Sequence, residues 1–128
     1  MVIAIDFDGT VVTPDYPEVG ESAGAEDVLR ALVKAGHKLI LYTMRSHKVV
    51  AGKDTLADAI KWFKDNDIEL YGVNENPSQK EWTDSKKAYA DLYIDDVALG
   101  CPKKKLKSGA FVVDWEVINA LFKEADII

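Results

Sequence analysis

The chain has 128 residues, with 16 basic and 22 acidic side chains and a net charge of −6; that length makes a single domain, residues 1–128, with a core of its own and no need of disulfide staples. Apolar residues at 48% exclude disorder, the acidic balance argues against nucleic-acid or anionic-membrane partners, and no apolar run approaches the roughly 18 residues that span a bilayer. The lone Cys101 has no internal partner, and no basic leader precedes the first strand-like segment, so a reducing, cytoplasmic home is expected.

Residues 2–7 (VIAIDF) form a short apolar, β-branched run of the kind buried on both faces of a sheet. A helical period follows at 26–35, with Val28, Leu29, Leu32 and Val33 on one stripe before Gly36. Residues 38–43 (KLILYT) give a second strand. Asp54 is a good N-cap for a helix carrying Leu56, Ala59, Ile60 and Phe63. Strands are predicted at 70–73, 91–94 and 110–113, and Asp114 caps a last helix with apolar residues over 117–122. Strands alternating with helices predict an α/β fold, a three-layer α/β/α arrangement around a mainly parallel sheet with helices on both faces. Ligands of such sheets bind beyond the carboxyl ends of the strands.

The first strand ends in Asp6-Phe7-Asp8-Gly9-Thr10. A period of two puts Asp6 and Asp8 on one side of the chain, and Gly9 permits a sharp turn. Two carboxylates in so small a space repel unless a cation stands between them, so the pair implies a divalent metal or an acid/base division of labour. The plain alternative is a turn in which both acids cap backbone groups. The fourth strand ends in a second acidic pair, Asp95-Asp96. Two acidic clusters converging at one edge make an oxygen-rich site that suits Mg²⁺ better than zinc, no His or Cys being placed to join them. Thr43 ends the second strand, and Lys86 and Lys87 lie just before the fourth, where an ammonium could balance the acids and meet a phosphoryl oxygen.

DFDGT at 6–10, Thr43 after an apolar strand, Lys87, and YIDD at 93–96 resemble the four motifs of the haloacid dehalogenase superfamily in order and spacing, over residues 1 to 100. The resemblance implies a Mg²⁺-dependent phosphohydrolase on a Rossmann-like sheet. Asp6 would attack phosphorus to give an aspartyl-phosphate, and Asp8 would protonate the leaving oxygen and then activate water. Thr43 and Lys87 would hold the phosphoryl oxygens, with Lys80 and Lys86 as alternatives for the lysine. The metal would be held by Asp6, the Asp8 main-chain carbonyl and Asp96, with Asp95 close behind. Members of this superfamily often carry a cap inserted after the first motif or between the second and third. Neither interval has spare chain for one here, so the chain reads as capless. An open site leaves room for a bulky phosphorylated substrate, small molecule or macromolecule, or for closure by loops or by another subunit of a homo-oligomer.

Arg45, two residues beyond Thr43, is a candidate second anion ligand. His47 reads as a solvated loop residue, and His37, at the opposite end of its strand, as structural. Lys103, Lys104, Lys105 and Lys107 read as a solvated loop rather than a nucleic-acid patch, given the net charge. Two rivals stand beside the phosphatase. A phosphoacceptor module like a response-regulator receiver shares the size and the Asp, Thr and Lys inventory, but the third strand-like stretch, LYGVN, lacks the Asp it would need. A catalytically idle phosphate-binding protein on the same scaffold is the other.

Overall fold

The computed structural model describes residues 1–128. Its elements in order are β1 (Val2–Ile5), α1 (Glu26–Lys34), β2 (Lys38–Leu41), β3 (Val49–Val50), β4 (Lys53–Asp54), α2 (Thr55–Asp65), β5 (Gly72–Val73), a 3₁₀ turn (Gln79–Glu81), β6 (Leu92–Ile94), β7 (Lys103–Lys105), β8 (Phe111–Val113) and α3 (Trp115–Glu124). The helices fall where the apolar period puts them. The Asp54 carboxylate accepts from the Ala57 amide at the start of α2, and Asp114 accepts from Glu116 and Val117 at the start of α3. Each such cap satisfies amides the helix leaves unpaired and is worth about 1 kcal/mol.

Four strands form one parallel sheet in the order β5-β2-β1-β6. The order reverses beside β1, since β2 and β5 add on one side of it and β6 on the other. That reversal opens a crevice between the carboxyl ends of β1 and β6, the usual ligand position in parallel sheets. Ile5 pairs with Leu41 on one side and Ile94 on the other, so Asp6, Tyr42 and Asp95 leave the sheet at the same level.

The helices cover one face. Ile3, Ile5, Leu39 and Leu41 join Val28, Leu29 and Leu32 of α1, Leu56, Ala59 and Phe63 of α2, and Trp115, Ile118 and Phe122 of α3 in a single cluster of 22 buried residues. The alternate positions Ala4 and Ile40 form a separate cluster with Ala90 alone, flanked by Val2, Tyr42 and Tyr71. The segment that crosses this second face, from β5 to β6, holds no α-helix. It has no apolar stripe of helical period; two buried amide side chains organise it instead. Asn76 donates to the Tyr89 carbonyl and accepts from Ser78, while Gln79 donates to the Ser85 and Lys87 carbonyls and accepts from the Tyr89 amide. The expectation of helices on both faces thus holds on one.

Two hairpins lie outside the sheet. β3 and β4 pair across Ala51-Gly52, both with positive φ, the signature of a tight two-residue hairpin turn; this hairpin was not among the predicted elements. The predicted strand at 110–113 forms, but pairs antiparallel with the lysine run Lys103–Lys105 rather than joining the parallel sheet. Those lysines are a strand with exposed side chains, not a loop. No helix is long and apolar enough to cross a membrane.

Candidate functional site

β1 delivers Asp6 into the crevice and β6 delivers Asp95 and Asp96. One carboxylate oxygen from each of the three lies within 4.8 Å of the others. Burial, and next the charge of Asp95, raise the pKa of Asp6 from 3.8 to about 7. Burial also raises that of Asp95. Three half-buried acids held this close are mutually destabilising when ionised, and a cation among them removes the repulsion. The donors are all carboxylate oxygens, a set that fits a hard divalent cation.

The packing around the cluster is tight. The Thr10 hydroxyl, fully buried, lies 3.0 Å from Asp6 Oδ2 and 3.3 Å from Asp96 Oδ1, and it accepts from the Asp96 amide at 3.2 Å. Behind it, the Trp115 indole donates to the Thr10 carbonyl at 2.7 Å, so α3 braces the loop after β1. Gly9, at φ +78°, leaves room for Asp96: a Cβ there would stand 2.5 Å from Asp96 Oδ2. Asp95 faces the crevice together with Asp6, Tyr42, Thr43, Met44 and Asn74, which line a cavity of about 270 Å³.

Asp8 points elsewhere. Its two oxygens accept from Arg45 Nε at 2.8 Å and Nη2 at 2.7 Å. Arg45 also donates to the carbonyls of Glu18, Thr55 and Pro17, at 2.7, 3.1 and 3.4 Å, and its guanidinium stacks over Phe7 and Tyr16. Its side chain is 1% exposed. Arg45 was expected as an anion ligand in the open site; instead it is a buried tie that joins the end of β1, the 17–18 loop and the start of α2 through one carboxylate. The planar guanidinium, with donors fanned in fixed directions, is what lets one residue reach all three.

Thr43 stands at the crevice as its position predicts. Its amide donates to Asn74 Oδ1 at 2.7 Å, and its hydroxyl oxygen accepts from the Arg45 amide at 3.1 Å, which leaves the hydroxyl proton free for a ligand. Lys87 forms no ion pair with the carboxylates; its ammonium lies 5.3 Å from the centre of the Tyr93 ring, on the helix-free face. Lys80 and Lys86 line a neighbouring cavity. His47 pairs with Asp54 at 2.9 Å on the surface, and His37 bridges the N-terminal amine and the Ile127 carbonyl, so neither serves the site. Cys101 packs half-buried against the main core.

Sequence reasoning missed Thr10 and Asn74 as site residues. Thr10 lies in the quoted DFDGT run, four residues after Asp6, and a hydroxyl that close to an acidic cluster was a usable signal. Asn74 follows a strand at positive φ, 54°, where Asn is among the few residues tolerated, yet its sequence alone does not aim it at Thr43.

No protein-family model matches the chain, and no curated protein matches it. Among solved structures, the conserved protein coded by a locus from Bacteroides thetaiotaomicron is 34% identical, with a TM-score of 0.75, over 98% of this chain and 91% of that one. Identity at this level across nearly the whole of both chains places this protein in one family with that conserved Bacteroides protein.

Proposed function

We propose that this protein is a capless, Mg²⁺-dependent phosphohydrolase of the haloacid dehalogenase type, working through a phosphorylated Asp6. The observation that carries the reading is the meeting of Asp6, Asp95 and Asp96 within 4.8 Å at the point where the strand order reverses. Bound there, Mg²⁺ would offset the repulsion between a carboxylate nucleophile and a phosphate ester dianion. Asp6 and Asp95, which both face the crevice, would be its first protein ligands, with Asp96 held beside them by Thr10.

In the first step an Asp6 oxygen attacks phosphorus, the bond to the leaving oxygen breaks, and that oxygen takes a proton. In the second, water attacks the aspartyl-phosphate, gives up a proton and releases phosphate with Asp6 restored. The free Thr43 hydroxyl proton and the Thr43–Asn74 corner suit a phosphoryl oxygen. Asp8 is the residue next in line to move the protons, and its oxygens are already taken by Arg45. Proton transfer by Asp8 therefore requires a remaining lone pair or a loosened Arg45 contact. That tie favours a second reading, a phosphate-accepting module that forms the Asp6 adduct and hydrolyses it slowly.

The test uses 4-nitrophenyl phosphate. Turnover should require Mg²⁺, stop with chelator and fall to background in Asp6→Asn. Asp8→Asn should lose about 10²–10⁴-fold and accumulate one phosphoryl group on Asp6, seen by intact-protein mass spectrometry. A stable adduct on the unsubstituted protein, with negligible turnover, supports the second reading. Turnover that survives thorough chelation, or an adduct mapped to another residue, overturns the first.

A further inference from the structure

The 74–88 stretch that crosses the helix-free face encloses a cavity of about 480 Å³, and this cavity shares Asn74 with the carboxylate crevice. Its shape is built rather than loose. The buried side chains of Asn76 and Gln79, 6% and 8% exposed, spend their amide groups on the loop's own backbone and fix it without a helix. A loop ordered beforehand by satisfied buried amides loses little entropy when a ligand settles in it.

We infer that this cavity holds the non-reacting part of the substrate, and that the substrate is the phosphate ester of a neutral polyhydroxylated molecule, a sugar or polyol phosphate. The inference rests on the phosphohydrolase reading and names its substrate class. Most of the lining side chains are polar, Pro77 and Ala88 being the apolar ones. Two ammonium groups, Lys80 and Lys86, stand with two carboxylates, Glu75 and Asp84, so the lining is neutral overall. None of the four forms a hydrogen bond or ion pair within the protein. Each hydroxyl of a polyol can donate to a carboxylate and accept from an ammonium, and a balanced mixture of free donors and acceptors suits that chemistry. A second phosphate would meet two carboxylates as well as two ammoniums. A nucleobase would find no aromatic platform to stack on, because Trp82 and Tyr89 pack against each other outside the lining.

The experiment compares glucose 6-phosphate, AMP and 4-nitrophenyl phosphate with Mg²⁺, in the natural sequence and in Asp84→Trp and Lys86→Trp. Both substituted residues are exposed and unpaired in the fold, so the variants should fold, and a bulky ring at either position narrows the cavity. Glucose 6-phosphate should have the highest kcat/KM, and each variant should lower the ratio of its kcat/KM to that of 4-nitrophenyl phosphate about tenfold, mainly through KM. Preference for AMP or the aryl ester, or an unchanged ratio in both variants, overturns the assignment while leaving the phosphohydrolase reading intact. If nothing is hydrolysed, the phosphohydrolase reading fails, and thermal unfolding still decides the cavity. A rise in Tm with glucose 6-phosphate that both variants abolish supports it, and the absence of any rise in the unsubstituted protein overturns it.

Discussion

On one face of the sheet Phe7, Phe63, Leu29 and Trp115 lie among three helices in a continuous apolar cluster; on the other, Ala4 and Ile40 meet Ala90 and the flanks of Tyr42 and Tyr71. The first face holds 22 buried residues and the second holds three, so the hydrophobic free energy of folding, roughly proportional to apolar area buried, comes overwhelmingly from the first. The second face keeps what the first cannot: a polar loop, the crevice rim and partly exposed tyrosines. A surface freed from supplying stability is free to present polar groups to a ligand.

The largest expected break in this contrast is a pair of truncations. Phe63→Ala, which empties a fully packed site between Phe7 and Trp62, should cost about 3–5 kcal/mol by denaturant unfolding. Tyr71→Ala on the other face should cost about 1 kcal/mol or less, as a partly exposed ring leaves little cavity. Equal costs would mean that the thin face is as structural as the thick one.

Arg45 sits between these regimes, a buried polar group that serves the loop ends rather than the core. Arg45→Ala leaves Asp8 and three carbonyls without their donor, and should cost about 2–4 kcal/mol. Arg45→Lys restores the charge but not the fan of donors and should recover less than half of that loss. Full recovery by lysine would show that charge alone holds the Asp8 corner.

The smallest effect sharpens the contrast electrostatically. Asp6 has its pKa raised by burial and by Asp95, so between 3.8 and about 7 the folded protein binds this proton more tightly than the unfolded chain. Stability therefore falls as pH rises through that window in metal-free buffer, and levels off above it. Asp95, raised by burial, adds in the same sense, while the exposed Asp54 and Asp91, held low chiefly by the amides of Ala57 and Val2, work oppositely at the acid end. The Asp6 contribution is thus read as the difference between the natural sequence and Asp6→Asn across pH 4 to 8. Identical pH profiles for the two would remove burial of Asp6 as a source of strain.

The fold was legible where one local signal had no competitor. The β1 run, the Asp54 and Asp114 caps and the stripe of α1 all form as read, because period and capping act within a few residues. The second face was not legible, since nothing local says that the β5–β6 connection is held by the side chains of Asn76 and Gln79 reaching up to 13 residues along the chain. Among the candidate residues, Asp6, Asp95 and Asp96 converge because strand register brings any residue that ends β1 and β6 to one level. Arg45 was misplaced for the opposite reason. Its partners, Asp8, Glu18 and Thr55, come from three separate segments, and no spacing along the chain reveals such a meeting.

The hydrogen bond from the Trp115 indole to the Thr10 carbonyl makes this ring an optical sensor of the crevice. The hydroxyl of the same threonine touches Asp6 and Asp96, so a ligand that pulls on either carboxylate also alters the polarity felt by a buried fluorophore, 2% exposed. Trp82, 65% exposed, answers to soluble quenchers and can be silenced without touching that signal. With Trp62 also replaced by Phe, emission from Trp115 then follows occupancy of the carboxylate site without a dye, a label or a turnover assay.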